Sequence, residues 1–322
     1  MAKIIVELCQ NHNGDRNVLQ RLIHAAVEAG ATHAKGQIIF SDDLVPRGRF
    51  EYGEEENNGV VKTIKRPYKN EYVRLKQLDL VEDDYVFFVE ECKKAGVVPL
   101  VTIFSRNRIP LAASLPWTER IVKIASFDCA SFTMIRELLP HFDHFIISTG
   151  GAFDQEIEET VKIIKEAGKK LTLLHCVISY PTPLEMCNLK RMDWLRQFTP
   201  EVGWSDHSRV DRDGLKASKV ALMQGADMIE RHFTVQEMDK TKDGPVSLTP
   251  SLLKELVQFS KLSKEDQRVI VESEIPEWSV MLGQSTRDMT HTEMLNRDYY
   301  RGRFASFVDG EWVNNWEDKE VF

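Results

Sequence analysis

Eight short β-rich apolar runs alternate with amphipathic helical stretches along this chain, and most of the runs finish in polar or charged residues. That alternation limits the fold more than any other feature. Strands separated by helix-length connections pair in parallel, and a parallel sheet needs helices over its faces. The runs fall at about 4–8 (Ile-Ile-Val-Glu-Leu), 33–38, 97–103, 120–125, 144–149, 170–176, 201–206 and 228–233. Between the first two, residues 17–29 place Leu19, Leu22, Ile23, Ala26 and Val27 on one helical face. Gly30, Gly96, Gly168 and Gly225 stand where helix C-caps are expected. Eight such units in roughly 260 residues match a closed (β/α)8 TIM barrel. A doubly wound open sheet is the alternative, but no Gly-rich dinucleotide loop follows the first strand.

Two regions depart from the repeat. Residues 41–80 form a long connection in which Arg47, Arg49, Lys62, Lys65, Arg66 and Lys69 mix with Glu51, Glu54, Glu55 and Glu56. Connections of this length are lids or binding loops when they sit on an active face, and solvated excursions otherwise. The organisation expected is therefore a catalytic barrel over 1–262, then a linker and short aromatic C-terminal extension over 263–322. That extension carries Tyr299, Tyr300, Phe304, Phe307, Trp312 and Trp316, with Asp309-Gly310 as a hairpin turn. It is expected to dock on the barrel or on a partner subunit.

The charge balance narrows the partners. With 42 Lys and Arg against 50 Asp and Glu, the net charge of -8 argues against general affinity for nucleic acid or anionic membranes. An anionic ligand would need a local cluster of positive groups. No apolar run approaches the roughly 18 residues of a membrane span, and the N-terminus lacks a signal-peptide layout. Five cysteines without a CxxC pair fit a reducing cytoplasm.

In a (β/α)8 barrel the C-terminal strand ends converge on the active site. Glu7 ends the first run, Lys35 and Gln37 the second, and Thr102 the third; Lys123, Ser126 and Asp128 belong to the fourth. Ser148 and Thr149 follow, then His175-Cys176 with Tyr180 beyond, then Ser205, Asp206 and His207, and finally Glu230 and His232. Each has a plainer explanation. Ser and Thr at strand ends cap helices, and Cys9 or Cys176 fill core space. Lys35 and Lys123, however, lie inside apolar runs, where an unpaired charge is costly. Two lysines among hydroxyls suit a phosphate or carboxylate. The imidazoles of His207 and His232 suit a transition metal with an open shell. Asp128, Glu7 and His175 are the candidates for proton handling.

Taken together, Glu7-Leu-Cys-Gln-Asn-His-Asn-Gly14, Ala34-Lys-Gly-Gln37, Lys123-Ile-Ala-Ser126, Ser148-Thr-Gly150, Leu174-His-Cys-Val-Ile-Ser-Tyr-Pro-Thr-Pro183, Asn188-Leu189, Gly203-Trp-Ser-Asp-His207 and Ile229-Glu-Arg-His-Phe-Thr234 resemble the sialic acid synthase (N-acetylneuraminate synthase) family over about residues 3–262. The resemblance implies condensation of phosphoenolpyruvate with an aldose sugar, such as an N-acylated hexosamine, to a 2-keto sugar acid and phosphate. It implies that His207 and His232 hold a divalent metal, Mn2+ with Mg2+ or Co2+ as alternatives. Lys35, Thr102, Lys123, Ser126, Ser148 and Ser205 would surround phosphoenolpyruvate. Gln37, Asp128 and Tyr180 would face the sugar or the reacting centre, and Glu7 would orient or exchange protons. The enol carbon would attack a metal-polarised aldehyde, water would add at the oxocarbenium carbon, and phosphate would leave. Glu7, Asp128, Lys123 and His207 form the catalytic set, and a homodimer is implied.

Four features depart from that family. Asp128 stands where a glutamate is usual, and Ile178 replaces an Asn or Ser. Asp243-Gly-Pro-Val246 replaces Gly-Pro-Asp, and the C-terminal antifreeze-like domain is reduced to a stub. In the family that domain places an arginine over the partner's sugar; Arg301 or Arg303 is the substitute here. The alternatives are a metal-dependent hydrolase or lyase on the same barrel, and a non-catalytic sugar-phosphate binding protein.

Overall fold

The computed structural model of the chain describes residues 2–316. Met1 and residues 317–322, the outer ends of the two segments expected above, lie outside the described residues. Eight parallel strands form the barrel: β1 (Lys3–Glu7), β2 (His33–Ile38), β3 (Val98–Ile103), β4 (Ile121–Ile124), β5 (His144–Ser148), β6 (Lys170–His175), β7 (Val202–Asp206) and β8 (Met228–Phe233). Each pairs with the next, and β1 pairs with β8 from Lys3 opposite Met228 to Glu7 opposite His232. The cylinder is closed, so the open-sheet alternative falls.

Helix α1 (Arg16–Glu28) shows how the connections form. Asp15 accepts a hydrogen bond from the Asn17 amide as N-cap, and Leu19, Leu22, Ile23 and Ala26 are buried against the strands. After α1 the chain reverses through Gly30 at φ 92°. Helix α2 (Glu82–Ala95) begins with Asp84 accepting from the Val81 amide and ends at Gly96 in the left-handed region.

Strand periodicity then fixes what lies inside the barrel. Ile5, Leu100, Ile121, Ile146, Leu174 and Met228 form one closed apolar cluster. Because side chains alternate along a strand, the next inward positions lie two residues later. Five of those six positions carry polar or charged groups, Glu7, Thr102, Lys123, Ser148 and Glu230, and the sixth is Cys176. An apolar plug thus supports a polar layer at the C-terminal end. Gly203, two before Ser205, is required where it stands, since a Cβ there would lie 2.1 Å from the Met228 carbonyl oxygen.

From residue 263, where a linker was expected, the chain is largely structured. Helix α3 (Lys264–Glu274) buries Gln267 and Val271, and Ser263 caps it by accepting from the Asp266 amide at 3.1 Å. Helix α4 (His291–Tyr300) starts with a Thr290–Glu293 capping box. Strands β9 (Ala305–Val308) and β10 (Glu311–Asn314) then pair antiparallel. They turn through Asp309-Gly310 at φ 52° and 88°, the hairpin that dipeptide predicts.

The tail lies across the C-terminal end of the barrel. Arg297 donates to both Glu156 carboxylate oxygens, at 2.7 and 2.9 Å, and to the Gly151 carbonyl. Asn296 donates to the Ile178 carbonyl at 2.7 Å. The 41–80 connection meets the same tail: Leu44 bridges Phe304, and the Arg47 guanidinium bonds the Tyr299 and Arg301 carbonyls. Among the described residues no helix is long and apolar enough to cross a membrane.

Candidate active site

The polar layer forms the floor of a cavity of about 320 Å3 at the C-terminal end of the barrel. Twelve residues singled out from the sequence as catalytic, substrate-binding or metal-holding line it: Glu7, Lys35, Gln37, Thr102, Lys123, Ser126, Asp128, Ser148, Tyr180, Ser205, His207 and His232; Glu230 joins them, whereas His175 and Asp206 do not. Strand register explains the convergence. Glu7 sits opposite Lys35, Gln37 opposite Thr102, Thr102 opposite Lys123, Ser205 opposite Glu230, and His232 opposite Glu7.

The buried charges on this floor compensate one another. Lys35 contacts the Glu7 carboxylate and donates to Thr102 at 3.1 Å. Lys123 donates to Ser148 at 2.6 Å. Both ammonium groups lie 4.0 Å from Glu230 Oε2, while Glu230 Oε1 accepts from Ser205 at 2.8 Å. Burial pushes Lys35 down to about 7, with Glu230 opposing the fall and the Lys123 charge adding to it. For Glu230, burial favours the neutral acid, but Lys123 and Lys35 outweigh it and hold the carboxylate below its usual range. Glu230 Oε2 makes no hydrogen bond of its own. It is the counter-ion of both lysines, a role the sequence does not reveal within a run of six buried residues.

Asp128 is fully enclosed, and burial pushes its carboxyl up to about 7 against the pull of two donors from the tail. These are Asn315 Nδ2 and Trp316 Nε1, each 3.3 Å from Asp128 Oδ1. His175 is placed differently from the expectation. Leu174 faces the barrel interior, so His175 faces outward, where it bonds the Cys187 carbonyl at 2.8 Å and packs on Trp204. It does not line the cavity. Asp206 also points outward and pairs with the fully buried Arg231 at 2.6 Å.

The histidine pair lies at one side of the cavity, with ring centroids 5.6 Å apart and Tyr180 packed 4.2 Å from His207. Burial pushes His207 down to about 3, with His232 adding to the fall, and it lowers His232 as well. Neutral imidazole is the form that binds metals. His207 Nδ1 lies 3.2 Å from the Val177 carbonyl, so donation there leaves Nε2 free as a ligand atom. His232 Nδ1 is buried without a hydrogen-bond partner, and ligand atoms of Cys9, His232 and Asp243 all lie within 4.8 Å of one another. An orphaned imidazole nitrogen beside a thiol and a carboxylate fits a divalent transition metal.

The cavity also contains residues that strand-end reasoning did not reach. Arg66 and Arg74 come from the 41–80 connection, Lys242 and Asp243 from the segment after β8, and Asn296, Tyr300, Arg303, Phe304 and Asn315 from the tail. The basic residues of the long connection and the aromatic cluster of the tail were the available signals. Of the two substitute arginines, Arg303 lines the cavity; Arg301 instead lies over the Trp316 ring at 3.8 Å and beside Glu156.

Comparison with known proteins agrees with this geometry. The NeuB family profile matches residues 22–267. The N,N'-diacetyllegionaminic acid synthase of Campylobacter jejuni is 33% identical over 277 residues, covering 81% of this chain and 76% of that protein. An uncharacterized protein of Methanocaldococcus jannaschii is 31% identical over 265 residues, covering 80% of this chain and 70% of its own. The crystal structure of an N-acetylneuraminic acid (sialic acid) synthetase from Leptospira borgpetersenii superposes with a TM-score of 0.69 at 27% identity. It covers 92% of this chain and 90% of that one.

Proposed function

The chain belongs to the NeuB family and is an enzyme of the sugar-acid synthase kind, and on that premise we propose that it condenses phosphoenolpyruvate with an aldose to give a 2-keto sugar acid and phosphate. The observation that carries this reading is the floor itself. Two buried lysines and the hydroxyls of Thr102, Ser126, Ser148 and Ser205 converge on one cavity above an apolar plug. A small, highly charged anion is the ligand such a floor suits, since phosphate and carboxylate oxygens accept from ammonium and hydroxyl donors alike.

His207 and His232 would hold a divalent metal, Mn2+ in this proposal, with Cys9 and Asp243 offering further ligand atoms. Bound there, the metal supplies Lewis-acid polarisation of the acceptor carbonyl. The chain's own groups do the rest. Lys35 and Lys123 orient phosphoenolpyruvate so that its enol carbon faces the aldehyde carbon; a carbon–carbon bond forms between them as the aldehyde π bond opens, and the former aldehyde oxygen takes a proton to become a hydroxyl. Water then adds at the former enol-ether carbon, its proton passes to a carboxylate of the site, and the carbon–oxygen bond to phosphate breaks. Asp128, poised near 7, and Glu7, oriented by the Cys9 amide at 2.5 Å, are the groups for that proton. Enclosure of Asp128 by Asn315 and Trp316 keeps bulk water from its carboxyl. Five free, buried cysteines accord with a cytoplasmic location.

The test is phosphate release from phosphoenolpyruvate in the presence of Mn2+ and a panel of aldoses. Release that depends on the sugar supports the reading. Absence of turnover with every aldose, together with no phosphoenolpyruvate binding by calorimetry, refutes it. Turnover of a sugar derivative without phosphoenolpyruvate would favour a hydrolase or lyase instead.

A further inference from the structure

Asn315, near the end of the tail, is 3% exposed and lines the cavity beside Asp128. Its side chain lies against two acceptors: Nδ2 donates to the Phe104 carbonyl at 3.0 Å and to Asp128 Oδ1 at 3.3 Å. The reverse orientation of the amide would set its oxygen against both of those oxygens, so the network fixes which end is which. Oδ1 is thereby turned away from them, buried, with no hydrogen-bond partner among the described residues. An amide oxygen kept in that state costs the folded chain stability unless a donor arrives.

The barrel grips this end of the tail from several sides. Ser131 donates to the Asn315 carbonyl at 2.8 Å, and Arg106 to the Asn314 carbonyl at 3.2 Å. Trp316 is 1% exposed, with the Arg301 guanidinium 3.8 Å from its ring and its Nε1 3.3 Å from the same Asp128 Oδ1. Both tail donors therefore converge on one carboxylate oxygen and leave Oδ2 to the cavity.

The chemistry of the two substrates decides which of them brings the donor. Phosphoenolpyruvate at neutral pH presents carboxylate and phosphate oxygens, which accept hydrogen bonds, so it cannot satisfy Oδ1. An aldose carries hydroxyl donors along its carbon chain. In the eight-strand ring β8, which carries His232, stands opposite β4, beyond whose end Asp128 lies. An aldehyde presented at the histidine pair therefore extends its hydroxyls across the cavity toward Asn315. We propose that Asn315 serves the active site twice: its Nδ2 positions the Asp128 carboxyl, and its Oδ1 accepts a hydrogen bond from a hydroxyl of the bound aldose. This inference rests on the condensation reading above.

The test uses the full chain with Mn2+, phosphoenolpyruvate, the aldose it turns over best and the monodeoxy analogues of that sugar. Asn315→Leu should lower kcat/KM for the aldose about tenfold while KM for phosphoenolpyruvate stays put. One analogue should lose about tenfold with wild type and nothing further with Asn315→Leu, the non-additivity of a direct contact. Penalties that multiply for every analogue overturn the contact and leave the condensation intact. Asn315→Ala takes the place of Asn315→Leu in this cycle if hydrogen exchange over 291–316 shows leucine displacing the tail.

Positioning has its own readout. Losing a donor to the carboxylate favours the neutral acid, even with the Arg301 charge still opposing it. The acidic limb of kcat against pH should therefore move up by about one unit in Asn315→Leu. Trp316→Phe should move the limb the same way and leave the deoxy-sugar pattern intact. A limb unmoved in both variants overturns the positioning role. Phe307→Ser, at a residue 60% exposed on the same hairpin and outside the cavity, should change none of these values; an equal change there would assign the effects to the hairpin as a whole and overturn the proposal. If no aldose turns over, the condensation reading fails and two measurements decide without it. Calorimetry with the same sugars must show weaker binding to Asn315→Leu, and 13C titration of the Asp128 carboxyl must show the upward shift; equal binding rejects the contact, and an unmoved titration rejects the positioning.

Discussion

Arg297→Met should loosen the tail from the barrel without unfolding the barrel. Its guanidinium makes two charge-assisted bonds to Glu156, with the two side chains only 5% and 13% exposed. A third bond reaches the Gly151 carbonyl. Removing one partner of a buried ion pair costs about 3–5 kcal/mol, because the other charge is left without compensation. Arg301 remains 3.4 Å from Glu156 and relieves part of that penalty, so the lower end, about 3 kcal/mol, is the appropriate figure. At 1.4 kcal/mol per decade this is roughly a hundredfold change in the docking equilibrium. Hydrogen exchange resolved by segment is the assay. Amides in 291–316 should exchange roughly a hundredfold faster while the strands keep their protection. Glu156→Leu added to Arg297→Met should restore much of it, since an apolar pair leaves no stranded charge. Unchanged exchange in the tail would refute the reasoning, and so would equal acceleration throughout the strands.

Other consequences follow from the same geometry. Burial raises Asp128 to about 7, above its ordinary value near 3.9, so the folded state binds the extra proton between these two pH values. The stability tied to that proton is present below pH 4 and lost as pH rises through 7. Wild type should therefore lose up to about 4 kcal/mol relative to Asp128→Asn between pH 4 and 8, read from urea denaturation of both proteins; a constant difference would contradict the assignment. Substituting Co2+ should give a thiolate-to-metal charge-transfer band that vanishes in Cys9→Ser, because Cys9 offers its sulfur beside His232; a spectrum without the band would confine the ligands to nitrogen and oxygen. His207→Ala should abolish metal retention on gel filtration, and unchanged metal content would remove His207 from the ligand set. Gly203→Ala should destabilise the barrel by about 3 kcal/mol in denaturant titration, since a Cβ meets backbone at 2.1 Å that cannot move aside without parting β7 from β8.

The barrel and its floor are legible in the chain because local rules determine both. The eight runs show period and length, and the alternation along β1, β3, β4, β5 and β8 carries each inward position from an apolar residue to a polar one two places on. His175 marks the limit of reading strand ends without phase. Lying at a strand end was not enough, because one residue of register decides between cavity and outer wall. Glu230 was visible as a strand-end acid, but its service to two lysines depends on neighbours from β2 and β4, far away in sequence. The outer lining of the cavity was hidden for a related reason. Arg66, Arg74, Asn296, Arg303 and Asn315 come from segments outside the strand–helix repeat, whose placement depends on long-range contacts such as Leu44 with Phe304 and Arg297 with Glu156. No periodic pattern encodes such contacts.

The most direct measurement of the central claim follows both products of one reaction. The enzyme with Mn2+ is incubated with phosphoenolpyruvate whose bridging oxygen is 18O-labelled, together with a panel of aldoses. Phosphate and the new acid are then weighed by mass spectrometry. Condensation with carbon–oxygen cleavage predicts one phosphate carrying the label for each 2-keto acid, whose mass is that of the aldose plus pyruvate. Unlabelled phosphate, or phosphate released with no sugar present, would contradict the account.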